Sequence, residues 1–292
     1  MEKNTRVAII YDFDKTLGID DMQCFGLLEE IGYKNPNDFW KLSNSFAKKE
    51  NMDGTLAFLY TMISEAKKHG VKITRDYLKS KGKDIKYFPG LKNDEYFTRI
   101  NQYGKERDVD IYHYVISSGN QEIIEGSSIY HNFTKVFGCE YLYNSEGEAI
   151  FPKVSINYTN KTQFLFRISK NTYEVSDSIK VNKEIKMEKR FIPFSNIIYI
   201  ADGTTDIPCL KLVSEKGGTS IAVFPDRTDN DQAKEIFNNG RANFITKADY
   251  SEGKELDTIL KNIISKIKVE DWLNKKHLQQ KEKYSILDEE KD

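Results

Sequence analysis

The chain has 292 residues, with 44 Lys or Arg against 45 Asp or Glu, so its formal net charge is −1. This balance argues against a nucleic-acid-binding or membrane-binding surface, and no apolar run approaches the ~18 residues of a membrane span. Charged residues make up 30% and hydrophobic residues 39% of the chain, which is typical of a soluble globular protein. We expect no nucleic-acid or membrane partner, and composition leaves the oligomeric state open.

The three cysteines are widely spaced and odd in number, and no zinc-ligand spacing occurs among the cysteines and the four histidines. A reducing, cytoplasmic compartment without a disulfide framework is therefore expected. The first ten residues lead directly into an apolar run and lack signal-peptide anatomy, which favours the same localisation.

In chain order, the first buried strand is predicted at residues 6–11, an apolar run that leads into Asp12 and Asp14. The following block, residues 18–86, shows helical spacing and no convincing strand. Its first helix is predicted over 20–32, where Gly32 can end it.

A second buried strand is predicted at 109–116, followed by a Ser-Ser-Gly turn and a helix. The tail from residue 268 is charged, with a possible helix around Trp272. The remaining predicted elements are a strand-turn-strand unit at 135–150, a helix from 160, strands at 197–201, 220–224 and 242–246, and a closing helix at 253–267. This alternation indicates an α/β fold, a Rossmann-like doubly wound parallel sheet covered by helices on both faces.

Polar side chains follow three of the predicted strands, and ligands of such sheets bind at the carboxyl ends of the strands. Each group alone is also explained by helix capping or a solvated strand end. Together they favour a binding site. They are Asp12, Asp14 and Thr16 after the first strand, Ser117 and Ser118 after the second, and Asp202 and Asp206 after the strand at 197–201.

Four aspartates at one edge repel one another unless a hard cation neutralises them. Mg²⁺ prefers carboxylate oxygens together with water and phosphate oxygens. An aspartate can also attack phosphorus, a second carboxylate can act as acid and base, and a hydroxyl with a lysine can hold the phosphoryl oxygens. The residues thus predict a magnesium-dependent reaction on a phosphate ester.

Three segments resemble motifs of the haloacid dehalogenase-like (HAD) hydrolase superfamily. They are "DFDKTL", "YVISSG" and "IYIADGTTD", and the resemblance covers residues 6–265. The third segment departs from the usual glycine at Ala201, which adds one methyl group and removes no functional group. The order of the motifs, each after an apolar strand, makes the resemblance specific.

The resemblance implies that Asp12 is the nucleophile and that Asp14 protonates the leaving oxygen and then activates water. It implies Mg²⁺ ligation by Asp12, the Asp14 carbonyl and Asp202. Asp206 is expected beside them, as a ligand through water or as an anchor.

Phosphate contacts are expected from Thr16 and from Ser117, with Ser118 as the neighbouring candidate. The motif lysine has no fixed spacing. Lys161, at a predicted helix start, is favoured over Lys180 and Lys183.

The resemblance also implies a helical cap at 18–86, like that of phosphoserine phosphatases, on a core formed by 1–17 and 87–292. The expected function is a phosphohydrolase acting on a small phosphorylated metabolite through an aspartyl-phosphate. The alternatives are a phosphotransferase or mutase using the same intermediate, and a phosphate- or metal-binding regulator without turnover.

Overall fold

The computed structural model describes residues 4–225 and 231–289. Among them are seven strands in one sheet of order β4-β3-β2-β1-β5-β6-β7, in which only β4 runs antiparallel to its neighbour. The strands are β1 (Thr5–Tyr11), β2 (Val109–Asn120), β3 (Lys135–Tyr143), β4 (Ala149–Val154), β5 (Ile197–Ala201), β6 (Thr219–Phe224) and β7 (Phe244–Lys247). The predicted Rossmann-like α/β fold is confirmed.

Helices of the described ranges cover both the sheet and its carboxyl edge. They are α1 (Leu27–Glu30), α2 (Pro36–Glu50), α3 (Gly54–Lys68), α4 (Arg75–Lys81), α5 (Glu95–Lys105), α6 (Gln121–Glu125), α7 (Lys161–Lys170), α8 (Ser178–Asn182), α9 (Ile207–Glu215), α10 (Asp231–Asn238) and α11 (Glu255–Glu289). Within those ranges, no helix combines the length and apolarity needed to cross a membrane. The segment 18–86, described throughout, holds α1 to α4 and no strand of the sheet.

The central strands β2, β1 and β5 are buried because both faces of the sheet are covered. All seven residues of β1 are buried or half-buried, and all five of β5 are buried. Apolar β-branched side chains suit such positions, which explains why the apolar run of β1 has no polar alternation. Because β1 lies between β2 and β5, the residues that follow these three strands meet at one edge.

Two local predictions were wrong. The Ser-Ser-Gly segment is not a turn, because β2 continues through it to Asn120, with a shift in register against β3 beyond Ile116. The helix predicted over 20–32 is broken, because Gly26 has φ of +91°, a left-handed conformation outside the helix. Only a short 3₁₀ turn, Met22–Cys24, precedes the break.

The C-terminal part is more helical than its composition indicated. The closing helix and the tail form one element, α11, instead of a helix ending at 267 and a separate helix near Trp272. Helix α10, which connects β6 and β7, was not predicted. Most of the predicted charged tail from 268 lies on α11, and residues 290–292 fall outside the described part.

Candidate active site

Lys161 and two aspartates form a buried ionic cluster at the ends of β1 and β5. Lys161 is the first residue of α7, and its Nζ lies 2.9 Å from Asp12 Oδ1. It also lies 2.9 and 3.0 Å from the two carboxylate oxygens of Asp206. The side chains of Lys161 and Asp206 are at most 1% exposed. Since the rivals Lys180 and Lys183 are exposed, Lys161 is the predicted lysine that the fold brings to this cluster.

Further polar contacts hold Asp206 in place. Tyr199, on β5, donates a short hydrogen bond to Asp206 Oδ1, and Thr205 Oγ1 lies 3.0 Å from Oδ2. Both carboxylate oxygens of Asp206 are therefore engaged by Lys161 and by a hydroxyl. This arrangement fits an anchor for the lysine better than a direct metal ligand.

Asp14 lies where the chain has left β1, and its position depends on a glycine. Its Oδ1 accepts a 2.8 Å hydrogen bond from the backbone N–H of Met22. A Cβ on Gly119 would lie 2.9 Å from Asp14 Oδ2 and 2.1 Å from the terminal carbon of Met22. Gly119 thus leaves room at the end of β2 for both side chains. Burial raises the pKa of Asp14, with the charges of Asp21 and Asp12 acting in the same direction, which favours the protonated acid.

Thr16 and the two serines occupy different positions relative to the open pocket. Thr16 is fully buried, with its Oγ1 3.5 Å from Asp202 Oδ1, and its carbonyl accepts a 2.7 Å bond from Tyr250. Ser117 is also fully buried, and its Oγ accepts a 2.9 Å bond from the N–H of Gly119. Ser118 lines the pocket instead, and its Oγ meets no hydrogen-bond partner within the described part of the chain. Of these three residues, Ser118 is the one that lines the pocket, and its Oγ is a buried atom without a described partner.

Three of the predicted metal ligands come together. Asp12, Asp202 and Asp206 each offer a carboxylate oxygen, and these oxygens lie within 4.8 Å of one another. Burial, reinforced by Asp206 and opposed by Lys161, raises the pKa of Asp12 to about 7. Burial and the neighbouring Asp12 raise the pKa of Asp202 to about 8. The cluster therefore carries more acidic groups than Lys161 balances, and a hard divalent cation suits this donor set.

The pKa of Lys161 is raised as well, but by the neighbouring charges and against the effect of burial. Its burial would lower the pKa, but Asp12 and Asp206 outweigh burial and raise it. Lys161 is therefore a permanent ammonium group at this edge of the sheet, suited to binding an anion and unsuited to acting as a base.

The cluster opens into a cavity of about 500 Å³ between the sheet edge and the helices of 18–86. We call its deep side the inner wall, formed by Asp12, Asp14, Ser118, Lys161 and Asp202. We call its far side the outer wall, formed by Trp40, Asn44, Thr55, Phe58 and Tyr158. All of the outer wall except Tyr158 comes from α2 and α3.

The helical segment is attached to the sheet domain through α4 and α6. Arg75 on α4 lies 3.1 Å from Glu125 on α6. A Cβ on Gly126 would lie 1.8 Å from the carbonyl oxygen of Lys79, and one on Gly82 would lie 2.2 Å from that of Ile123. The two backbones are in contact at these glycines, so α4 lies in a fixed position against the helix that follows the Ser118 strand.

Sequence reasoning did not assign the roles of Gly119, Tyr199 and the outer-wall Trp40. The sequence shows Gly119 as part of the Ser-Ser-Gly segment. The structure shows why a glycine is needed there, since a Cβ would collide with the side chains of Asp14 and Met22. Tyr199 reaches Asp206 across the turn after β5, so the contact joins a strand to the segment after the turn and follows from no single periodicity.

Comparison with known proteins supports the fold. No protein-family model matches the chain. A protein of Borreliella burgdorferi strain B31, itself uncharacterised, is 27% identical over an alignment of 281 residues that covers 87% of this chain and 95% of that protein.

Two solved structures share the architecture. A phosphoserine phosphatase in complex with an analogue of its phospho-aspartyl intermediate superposes with a TM-score of 0.53 at 17% identity, covering 88% of this chain and 99% of that one. A probable phosphoserine phosphatase of Vibrio cholerae gives a TM-score of 0.57 at 12% identity, covering 91% and 67%. The chain has the fold of the HAD-like phosphatases.

Proposed function

We propose that the protein is a magnesium-dependent phosphohydrolase that cleaves a small phosphate monoester through an aspartyl-phosphate on Asp12. The observation that carries the proposal is the Lys161 ammonium, which lies 2.9 Å from Asp12 Oδ1 beneath a pocket that also receives Asp14 and Ser118. Two carboxylates of distinct environment, a fixed cation and an unpaired hydroxyl are the groups that phosphoryl transfer needs.

In the first step, Asp12 attacks phosphorus and the ester bond breaks. Asp14, protonated, gives its proton to the departing oxygen, so the product leaves as an alcohol. In the second step Asp14 takes a proton from water, the water oxygen attacks phosphorus, the bond from phosphorus to the Asp12 oxygen breaks, and inorganic phosphate leaves with the Asp12 carboxylate restored. Lys161 and Ser118 hold the phosphoryl oxygens throughout. Asp14 ends the cycle protonated, as it began.

Asp12, Asp202 and the Asp14 carbonyl would hold the Mg²⁺, with Asp206 positioning Lys161. A bound Mg²⁺ neutralises developing charge on the phosphoryl oxygens. The close approach of the carboxylate oxygens of Asp12, Asp202 and Asp206 fits such an ion, because carboxylates at this distance repel without one. Ser118, rather than the Ser117 favoured by sequence, takes the phosphate role in this proposal because Ser118 lines the pocket and its Oγ has no described partner, whereas the Oγ of Ser117 accepts a bond from Gly119.

The helices at 18–86 would form a cap whose outer wall selects the leaving group. The alternative of a phosphotransferase shares every inner-wall residue and differs only in the acceptor. A regulator without turnover would not need an acid beside the nucleophile, so the position of Asp14 in the pocket favours turnover.

The test is phosphate release from a panel of phosphorylated metabolites, measured with Mg²⁺ and with a chelator. We expect release with Mg²⁺ in the absence of any organic acceptor, and loss of release in the chelator. Turnover that depends on an added alcohol would support the phosphotransferase instead. Equal turnover with and without chelator would contradict the proposed metal dependence.

A further inference from the structure

The outer wall differs from a surface built to bind a charged amino acid. Outside the inner wall, the charged side chains lining the pocket among residues 4–225 and 231–289 are Lys15 and Asp21. They pair with each other, with Lys15 Nζ 2.8 Å from Asp21 Oδ1. A zwitterionic leaving group such as serine would bring an ammonium and a carboxylate to this region. The ammonium and the carboxylate would both lose hydration there, and no described side chain of opposite charge on this side of the pocket is without a partner.

The groups that do line this side are aromatic rings and neutral polar side chains. Trp40 is held by edge contacts, with ring centroids 5.2 Å from Phe39 and 5.7 Å from Phe58. Phe58 lines the pocket with it, and Asn44 and Thr55 offer amide and hydroxyl groups. Fixed aromatic rings beside neutral hydrogen-bonding groups suit a planar ring that carries hydroxyl or amide groups.

The size of the cavity points in the same direction. Its volume of about 500 Å³ lies in the range of pockets that enclose ligands of the size of a nucleotide. A serine side chain beside the phosphoryl group would leave the space near Trp40 and Phe58 unfilled.

Resting on the proposed phosphohydrolase activity, we infer that the protein is selective for phosphate monoesters whose leaving group is uncharged and carries a planar ring, and that Trp40 is a specificity-determining residue. Nucleoside monophosphates are the test case of this class. The phosphate meets the inner wall, and the ring packs on Trp40.

The first experiment compares kcat/KM for adenosine 5′-monophosphate, O-phosphoserine and the ringless acetyl phosphate, with Mg²⁺ present. We expect the nucleotide to exceed phosphoserine by at least about tenfold, since stacking of a base on an aromatic ring accounts for roughly that factor or more. In Trp40→Leu, the ratio of nucleotide to acetyl phosphate falls by about the same factor.

The matched control is Phe46→Leu. Phe46 lies on the same helix, α2, and its ring stacks on Tyr60 at 5.3 Å, but it does not line the pocket. The control therefore removes a cap aromatic without touching the outer wall, and we expect it to keep the substrate ratio. Preference of the unaltered protein for phosphoserine, or equal ratios in the two variants, would overturn the inference while leaving the phosphohydrolase activity established.

A second measurement does not depend on turnover. The chain has two tryptophans, and Trp272 on α11 is 56% exposed, so Trp272→Phe leaves Trp40 as the reporter. Combined with Asp12→Asn to keep the ligand intact, this variant is titrated with the nucleotide and with phosphoserine in Mg²⁺. Quenching by the nucleotide alone supports the inference. Equal responses, or none, overturn it. Absence of turnover with every substrate overturns the proposed function instead, and the titration still decides the ligand class.

Discussion

The inner and outer walls of the pocket are built in different ways. On the inner wall, Lys161 and Asp12 are held within 3 Å of each other, in nearly complete burial, by strand ends and by the start of α7. On the outer wall, Asn44 and Tyr158 are exposed, and Trp40 is held by aromatic packing within the helical segment. The difference is one of construction: the inner wall is a buried charged arrangement fixed by strand ends, whereas the outer wall combines exposed polar side chains with aromatic rings that pack on the helical segment.

The largest expected effect is on the inner wall. Asp12→Asn keeps the shape of the side chain but removes the nucleophile, and we expect turnover to fall by roughly 10⁴- to 10⁶-fold, the loss typical of removing a nucleophile. The measurement is phosphate release, with the far-ultraviolet circular dichroism and the unfolding midpoint as controls for the fold. Near-normal phosphate release from a folded variant would remove Asp12 from the mechanism.

Asp14→Asn separates two roles on the same wall. An alkyl phosphate needs a proton on its leaving oxygen, whereas a phenolate of low pKa leaves without full protonation. The variant should therefore slow the alkyl ester more, by about 10²- to 10⁴-fold relative to the aryl ester. The comparison is made on the burst phase, because Asp14 also serves the second step. Equal slowing of both esters would assign Asp14 a metal-binding or structural role.

The metal dependence is tested at Asp202. Asp202→Ala removes a carboxylate from the proposed ion site, and the Mg²⁺ concentration for half-maximal activity should rise by at least about tenfold. Asp84→Ala is the matched control, because Asp84 is an exposed carboxylate that, among the described residues, neither lines the pocket nor belongs to a cluster of side chains close enough to share an ion. An unchanged Mg²⁺ requirement in Asp202→Ala would place the ion elsewhere.

The contact that attaches the helical segment 18–86 to the sheet domain can be broken at Gly126, between α4 and α6. An alanine there would place its Cβ 1.8 Å from the Lys79 carbonyl oxygen, so α4 and α6 must separate. We expect the free energy of unfolding to fall by about 3 kcal/mol, at the upper end of overpacking effects. Gly54→Ala is the control, since its Cβ would meet nothing within 4 Å. Equal stability of the two variants in urea would show that α4 is not fixed as described.

The smallest expected effect concerns the support beneath the inner wall. Burial lowers the pKa of His113 to about 3, and its ring bonds the hydroxyl of Tyr11, the residue before Asp12. The folded state therefore holds a neutral imidazole, whereas the unfolded chain binds a proton below its pKa of about 6.5. The stabilisation is fully present above pH 6.5 and is lost as the pH falls toward 3.

Between pH 7.5 and 5.0 this difference removes about 2 kcal/mol of stability. Urea unfolding of the unaltered protein and of His113→Asn across that range measures it. The free energy of unfolding of the variant should lack this part of the pH dependence. If it changes with pH in parallel with that of the unaltered protein, His113 titrates alike in the folded and unfolded states.

The sequence predicted the sheet well, and it indicated that the inner-wall residues lie near one another, because both features follow from local rules. The apolar run at 197–201 coincides with β5, and the polar residues after three strands converge because parallel strands end at one edge. Lys161 lies 2.9 Å from Asp12, since a helix start near the sheet edge can place its side chain there, and its choice as the phosphate-binding lysine stays a prediction. The assignment of chemical roles to these residues remains a prediction.

The remaining features depend on contacts between distant segments. Adjacent strand residues point to opposite faces, so the choice between Ser117 and Ser118 depended on the register beyond Ile116, where β2 shifts against β3. The extension of β2 to Asn120 also depends on pairing with a distant segment, whereas the break at Gly26 is local and follows from the left-handed conformation that a glycine can adopt. Trp40 was not assigned to the pocket from the sequence, because helical spacing alone does not separate a pocket residue from a core residue.

The Lys161 cluster also has a consequence for the stage of folding at which the proposed active site forms. Its ion pairs join segments separated by 149 and 45 residues along the chain. Contacts of such sequence separation form slowly, because loop closure must precede them. During synthesis, a chain that does not yet include Asp206 cannot complete the cluster, even if the earlier strands have already paired. After dilution from urea, we therefore expect phosphate release to recover only when Asp12, Lys161 and Asp206 have come together. Secondary structure, followed by circular dichroism, should return no later than this activity.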